Sequence, residues 1–509
     1  MRGQLKLLIT LLCFFGLFSQ VQAVAQITMP VTFSDGMVLQ RGTPVRVFGE
    51  ASDGKSVTVR FNGQEKTAAV DEGKWLLSLD AMPAGGPYEL TISSVGETIR
   101  YTDVMVGEVW FAGGQSNMYF GLSACLDFEK DLPTQENPSL RFLHVPVTEF
   151  GAINRKGLEW KRFDAQSVRR FSAVAYYFAT ALQKRLGVTV GVIESCRGGI
   201  WNENWMTTAS IAAIPSLQYL LNDYDTAYAK FQDEAAYESA YQAFLTAVKL
   251  WESNGGWSSG PRPMAPMGPK AYQRPAGLYQ TMIKPLQPYT IKGCIWYQGE
   301  GNSARFEEYK TMFPALVAGW RKTWENPKMP FYFVQLPGYG SGVTWPQFRK
   351  VQLELSKSIP HAGMLVSEGA GDSKDLHPKV KKPIGNRLAI AVASEVYKQS
   401  HVPFGPRYES AEIINGKVLV RFEFIGAGLE LRDTNSSSFE IAGEDKVFKQ
   451  AQVTIHGDEL YLWNSSLEAP IYTPYAYSHF PAMDLFNKEG LPASPFTAKI
   501  DGTEEALKQ

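Results

Sequence analysis

Four short segments of this chain carry chemistry beyond what a core or a turn demands: Gly113-Gly114-Gln115-Ser116-Asn117-Met118, Ser195-Cys196-Arg197-Gly198-Gly199, Trp296-Tyr297-Gln298-Gly299-Glu300 and Asp372-Ser373-Lys374-Asp375-Leu376-His377-Pro378. Between them they hold a hydroxyl, an imidazole, carboxylates, amides and glycine pairs, the set that acyl transfer requires. A serine hydroxyl is a poor nucleophile at neutral pH until a neighbouring imidazole accepts its proton. The imidazole needs a carboxylate to hold its tautomer and to stabilise the cation that forms. The tetrahedral oxyanion needs donors aimed at it, commonly main-chain N–H groups exposed by glycine together with a side-chain amide. Ser116 is the candidate nucleophile, His377 the base, and Asp375 or Glu300 the orienting carboxylate. Gly198 or Gly199, Gln298 and the Ser116 amide are the candidate oxyanion donors. Of the six histidines, at 144, 361, 377, 401, 456 and 479, only His377 lies among aspartates at the end of a predicted strand–helix series. Singly, each residue has a plainer use, such as a tight turn at Gly198-Gly199 or a helix cap at Asp375, Gln298 or Glu300. Their convergence is what suggests a site.

The elements expected around these segments bring them to one place. Val104 to Ala112 reads as a strand ending at the first glycine pair. Helical spacing from Ser172 to Leu186 precedes a strand from Val188 to Ile193. A short helix over Leu278–Leu286 leads to a strand over Ile291–Tyr297. The long amphipathic helix Glu307–Trp324 leads to the strand Phe331–Val334, and Trp345–Ser358 to Gly363–Val366. A helix from Val380 to Lys398 closes the series. Strand and helix alternating in this way predict an α/β fold with a parallel sheet covered on both faces. Ligands of such sheets bind beyond the carboxyl ends of the strands, where all four segments fall. Residues 209–272 fit no unit and are expected to form an insertion over one end of the sheet.

Period-two runs at Val45–Phe48, Val57–Phe61 and Tyr88–Ile92, separated by turn clusters, predict a β-rich N-terminal domain over 26–103. The central zone is then 104–408, and a β-rich C-terminal region over 409–509 contains the runs Lys417–Phe422 and Leu460–Trp463. The first 25 residues have the form of a secretory signal peptide: Arg2 and Lys6, the apolar run Leu7–Phe18, and a small-residue end at Ala23-Val24-Ala25. A secreted or periplasmic protein follows.

Composition narrows the function classes. The 509 residues predict several domains. Lys plus Arg number 50 against 51 Asp plus Glu, and loss of Arg2 and Lys6 makes the balance slightly more negative. A sequence-independent hold on nucleic acid needs a cation surplus, and none exists. No internal apolar run approaches the length of a membrane span, so no membrane partner is expected after signal cleavage. With Cys13 in the leader, Cys125, Cys196 and Cys294 remain, widely spaced and without a CxxC pair. They are expected as buried free thiols rather than as a disulfide scaffold or zinc site. Neither a metal nor another cofactor is called for.

The segments Gly114-Gln115-Ser116-Asn117-Met118, Trp296-Tyr297-Gln298-Gly299-Glu300 and Asp375-Leu376-His377-Pro378 resemble the motifs of the sialate O-acetylesterase family, a carbohydrate-esterase branch of the SGNH hydrolases. The resemblance extends to Met37-Val38-Leu39-Gln40-Arg41 and to Leu485-Phe486-Asn487-Lys488-Glu489-Gly490-Leu491-Pro492, and so spans nearly the whole mature chain. It implies a three-layer αβα SGNH-hydrolase-like fold with flanking β-sandwich-like regions, a metal-free mechanism, Ser116 as nucleophile and His377 as base. It implies an O-acetylated sugar or glycan as substrate. There are departures. Many SGNH enzymes place Asp three residues before the histidine, where this chain has Lys374, and the usual block-three Asn is replaced by Gln298. Relatives with Gln-Gly-Glu are expected to use the glutamate, which keeps Glu300 beside Asp375. Cys196-Arg197 stands where relatives often carry Ser-Trp, so this wall of the pocket is expected to alter specificity. Arg197 is suited to a sugar carboxylate, or else to a structural salt bridge.

The activity expected is removal of acetyl groups from sugar hydroxyls through a serine acetyl-enzyme, with O-acetylated sialic acid as first substrate and acetylated xylan or another plant glycan as alternative. A secreted, non-catalytic carbohydrate-binding protein is the reading from another class. Aromatic residues reach 13%, with 12 Trp and 23 Tyr. Trp201, Trp205, Trp251, Trp257, Trp296 and Tyr297 are the ones expected near a sugar, because flat rings suit the C–H faces of a pyranose.

Overall fold

The computed structural model describes residues 27–52, 54–132, 136–150, 158–231, 233–256, 260, 262–433 and 437–500. The expected leader, Cys13 and Trp257 lie outside the described residues.

Strand β1 (Glu97–Gly114) organises the molecule, and its burial pattern explains how. Over its first half, residues alternate between partly covered and exposed, because one face of this stretch is wet. From Val106 to Gly114 every residue is buried, as befits a strand covered on both faces. The first half pairs antiparallel with Gly85–Ser94 in the N-terminal β-structure. The second half pairs parallel with β3 (Val190–Cys196) on one side and with β4 (Gly293–Tyr297) on the other. Outward from β3 lies β2 (Asn137–His144), and outward from β4 lie β5 (Phe331–Val334) and β6 (Ala362–Leu365). The order β6-β5-β4-β1-β3-β2 therefore reverses direction at β1, a switch point that opens a crevice beyond its carboxyl end.

Four long helices cover the sheet: α1 (Ala173–Leu186), α2 (Phe306–Thr323), α3 (Trp345–Ser358) and α4 (Lys382–Glu395). Successive residues of β1 point to opposite faces. Trp110 meets Phe178 of α1 edge-on at 5.4 Å, and Phe111 meets Trp320 of α2 at 5.3 Å. Helix α4 lies so close to α1 that a Cβ on Gly385 would stand 2.5 Å from Tyr177 Cβ. The result is the expected three-layer αβα arrangement, with β-structure before and after it.

Three observations refine the central zone. Asn137–His144 is a full strand, although its sequence signalled none. Residues 209–272 are largely helical, with Gln218–Ala229 and Glu234–Ser253 as the main pieces. The expected helix at Leu278–Leu286 is a π turn, Tyr279–Ile283, followed by a 3-10 turn, Lys284–Leu286.

The motif residues far from the four segments are structural. Val38–Gln40 adds a parallel strand along Met105–Gly107 of β1. Buried Gln40 accepts from Val109 N–H at 2.8 Å and donates to Glu108 at 2.8 Å. Near the other end, buried Asn487 donates to the carbonyls of Phe404 and Phe424, both at 3.1 Å, fastening the C-terminal strands. No helix among the described residues is long and apolar enough to cross a membrane.

Candidate active site

The three central strands end in register: Gly114 of β1 stands opposite Cys196 of β3 and Tyr297 of β4. Two hydrogen bonds stitch the exits together, Gln115 N–H to Tyr297 C=O at 2.9 Å and Arg197 N–H to Gly114 C=O at 3.1 Å. Gly114 has φ of +138°, and a Cβ there would lie 2.2 Å from the Tyr297 carbonyl oxygen. Only glycine allows this close approach, after which the chain turns into the single helical turn Ser116–Tyr119. Ser116 is thus the second residue past the switch-point strand, half-buried at the sheet's end. Its N–H is among those a helix start leaves without an intrahelical acceptor.

His377 comes from the loop between β6 and α4. Asp372 shapes that loop by accepting the N–H groups of Lys374 at 2.8 Å and Asp375 at 3.1 Å. His377 Nε2 lies 2.7 Å from Ser116 Oγ, within the reach a base needs to take the hydroxyl proton. Asp375 Oδ1 accepts the main-chain N–H of His377 at 2.8 Å, so the carboxylate clamps this turn through the backbone. Desolvation pushes the His377 imidazole below its ordinary range. Lys381 adds to the effect, and the Asp375 charge opposes it.

Among the described residues Glu300 bonds to Asn117 rather than to the imidazole. It accepts a short hydrogen bond from Asn117 Nδ2, and its other oxygen, Oε2, is buried without a partner. Burial raises its pKa. Asn117 also donates to Leu376 C=O at 3.0 Å and accepts from Lys381 Nζ at 2.6 Å. Lys381 is 1% exposed, with its ammonium 4.8 Å from the Phe120 ring centroid. Burial pulls its pKa down to about 8, against the opposing charge of Glu300. A buried ammonium, an amide and a carboxyl group therefore form one chain under the serine–histidine pair. Asn117 sits inside a recognisable motif, yet the motif does not assign it this task. Lys381 is one of several lysines after His377, and only its burial marks it.

Gly198 packs directly against the serine: a Cβ on it would lie 3.3 Å from Ser116 Cβ. Its neighbour Gly199 is exposed with φ of +65°. Gln298 is a correction to the expected oxyanion set. The side chain is buried, and one of its two amide N–H groups donates to Asn302 Oδ1 at 2.8 Å within the interior. Cys196 is a second correction, because its buried thiol faces Ala112 C=O at 3.5 Å and does not form a pocket wall. Cys125, Cys196 and Cys294 are all buried and unpaired. Half-buried Arg197 donates to Tyr272 Oη at 2.6 Å and forms no ion pair among the described residues.

His144 corrects the expectation that only His377 keeps a carboxylate neighbour at a strand end. Its Nδ1 lies 2.8 Å from Glu194 of β3. That hydrogen bond raises the imidazole pKa. Among the aromatics, Trp205, Trp296 and Tyr297 are wholly buried core, whereas Trp201 keeps part of its surface open. Among the described residues, no group of three or more His, Cys, Asp or Glu could hold a metal ion.

The family model described as carbohydrate esterase, sialic acid-specific acetylesterase, matches residues 263–394. The chain is 27% identical to the rat sialate O-acetylesterase over 91% of its own length and 93% of the relative's. Against the human sialate O-acetylesterase, identity is 25%, covering 92% and 91%. The solved structure of a carbohydrate acetylesterase from Xanthomonas citri is 30% identical, with a TM-score of 0.77, and covers 93% of this chain and 99% of that one. Sequence and architecture thus agree along essentially the full length, and the chain belongs to the sialate O-acetylesterase family of SGNH-like carbohydrate esterases.

Proposed function

We propose that the chain is a carbohydrate O-acetylesterase that works through a serine acetyl-enzyme, with Ser116 as nucleophile and His377 as base. The observation that carries this reading is the 2.7 Å contact between Ser116 Oγ and His377 Nε2 at the switch point of the sheet. Ser116 Oγ attacks the acetyl carbonyl while His377 takes its proton. The main-chain N–H groups of Ser116 and Gly198 receive the oxyanion, and His377 returns the proton to the departing sugar oxygen. Water, activated by the same imidazole, then releases acetate. Asp375 is the orienting carboxylate, supported by its clamp on the His377 amide and by its charge acting on the ring. Glu300 belongs instead to the Asn117–Lys381 chain that holds the loop in place.

An acidic sugar is the favoured substrate. Arg197 adjoins the glycine pair beside Ser116, and among the described residues its side chain bonds to a neutral tyrosine and to no carboxylate, which leaves its charge for a ligand carboxylate. This favours O-acetylated sialic acid over acetylated xylan. Export through the first 25 residues would bring the enzyme to such glycans. Ser116→Ala is expected to reduce p-nitrophenyl acetate hydrolysis by at least about a thousandfold. Undiminished hydrolysis would sink the mechanism. Acetate release from O-acetylated sialic acid and from acetylated xylan, measured side by side, decides the substrate. Arg197→Leu is expected to raise KM for the acidic sugar alone.

A further inference from the structure

Beside the glycine pair, the chain runs from Trp201 to Asn204 along the wall of a cleft of about 420 Å³. Its other walls are the helix Gln218–Ala229, the stretch from Met267 to Pro275, and Arg305. A cavity of this size falls within the range of small-ligand sites. It also starts next to the reacting centre. The Trp201 ring lies 3.3 Å from where a Cβ on Gly301 would be, and Gly301 N–H donates to Gln115 Oε1, one residue before Ser116, at 3.3 Å.

Three features of the lining bear on what it would hold. The first is apolar: half-buried Trp201 presents ring surface beside Leu220, Ala227 and Met267. The second is polar and unsatisfied. Tyr224 is 6% exposed, yet its hydroxyl has no hydrogen-bond partner, and neither has the buried Gln273 Oε1. Orphaned buried polar atoms call for an explanation, and here two of the residues that carry them line one cleft. The Tyr224 ring is itself fixed, with Arg274 stacked 4.2 Å from its centroid. The third is charge. Glu203 is paired with Arg305 and also accepts from Asn302 at 3.2 Å, so the inner wall offers little net charge. Asp223 is exposed at the rim.

We propose that this cleft is a subsite for a neutral pyranose joined to the acetylated sugar, with Trp201 against its C–H face and Tyr224 Oη and Gln273 Oε1 taking its hydroxyls. The aromatic plane, and a donor and an acceptor on a rigid frame, match such a ring. The enzyme would then act on acetylated oligosaccharides in preference to single sugars. This rests on Ser116 as the esterase centre, so the test reports on the two separately.

Wild-type, Trp201→Ala and Tyr224→Phe proteins are compared on p-nitrophenyl acetate, free O-acetylated sialic acid, O-acetylated sialyllactose and acetylated xylotetraose. In the wild type, one of the two oligosaccharides is expected to show a kcat/KM about tenfold above that of free O-acetylated sialic acid. Trp201→Ala is expected to abolish that advantage, mainly through KM. Tyr224→Phe, which removes one oxygen and keeps the packing, is expected to reduce it about threefold or more. Calorimetric titration of unacetylated sialyllactose and xylotetraose into Ser116→Ala protein, with and without Trp201→Ala, measures the subsite without catalysis. Loss of binding on adding Trp201→Ala supports the proposal. Equal binding in both, or an oligosaccharide advantage untouched in both single variants, overturns it. Failure of the wild type to hydrolyse p-nitrophenyl acetate would instead count against the esterase reading.

Discussion

His377 must be neutral to accept the Ser116 proton, and burial together with Lys381 holds its pKa below 6.5 while Asp375 pulls it back up. Activity should therefore rise with pH along a limb whose midpoint lies below 6.5 and level off by neutrality. Asp375→Asn removes the raising charge and is expected to move that limb further toward acid. Lys381→Met removes a lowering charge and is expected to move it upward; kcat/KM profiles of the three proteins measure both signs. Asp375→Asn should also lower kcat on the order of a thousandfold if it orients the imidazole, with Glu300→Gln losing much less. The reverse order of losses would transfer that role to Glu300. Ser116 and His377 were readable because their residue types are rare in combination at strand ends. Lys381 was not, because nothing in a run containing Lys379, Lys381 and Lys382 says which ammonium is drawn under Asn117.

The exit of β1 tolerates little change, since a methyl group on Gly114 meets the backbone of β4 rather than a side chain that could turn away. Gly114→Ala is expected to destabilise the fold by about 1–3 kcal/mol and to displace Ser116. Activity per folded molecule should therefore fall as well as Tm. Between β2 and β3, the buried Glu194 carboxylate raises the pKa of His144. A group raised on folding stabilises most below its unfolded pKa, and that contribution fades as pH rises through the folded value. The Tm difference between wild type and His144→Gln should therefore be larger near pH 5.5 than near pH 8.5. Equal differences at the two values would remove the pair from the account of stability. Helices α2 and α3 and strand β5 lie within a residue of where periodicity put them, because their apolar faces pack on one sheet. Strand β2 has no strand-like sequence pattern because it opens on Asn-Pro-Ser and carries Arg141, which is buried against Asp103 at 2.8 Å. That partner is remote in sequence and lies on β1, so no local pattern announces it.

Across the whole molecule, most of the aromatic excess is core. Trp110, Trp205, Trp296 and Trp320 are fully buried, and composition alone could not separate them from Trp201, which lines the cleft. The strand-rich character of the first hundred residues was legible from alternation, but the continuity of β1 was not. Alternating and continuously apolar stretches read as two strands, whereas they are one strand whose surroundings change. A protein beginning at residue 104 would lose the Val38–Gln40 strand along β1 and the contact of Gln40 with Glu108. It is expected to be insoluble or to melt far below the full chain, which expression and calorimetry would reveal. The 18 residues of β1 form one strand that bends at Asp103, whose φ is +56°, where the pairing with Gly85–Ser94 also shifts register. One end of that strand is held in the outer N-terminal sheet and the other stops two residues short of Ser116. A support or label fixed to the outer sheet would therefore be joined to the nucleophile by a single strand, making that sheet the natural handle for immobilising the enzyme with its mouth in a chosen direction.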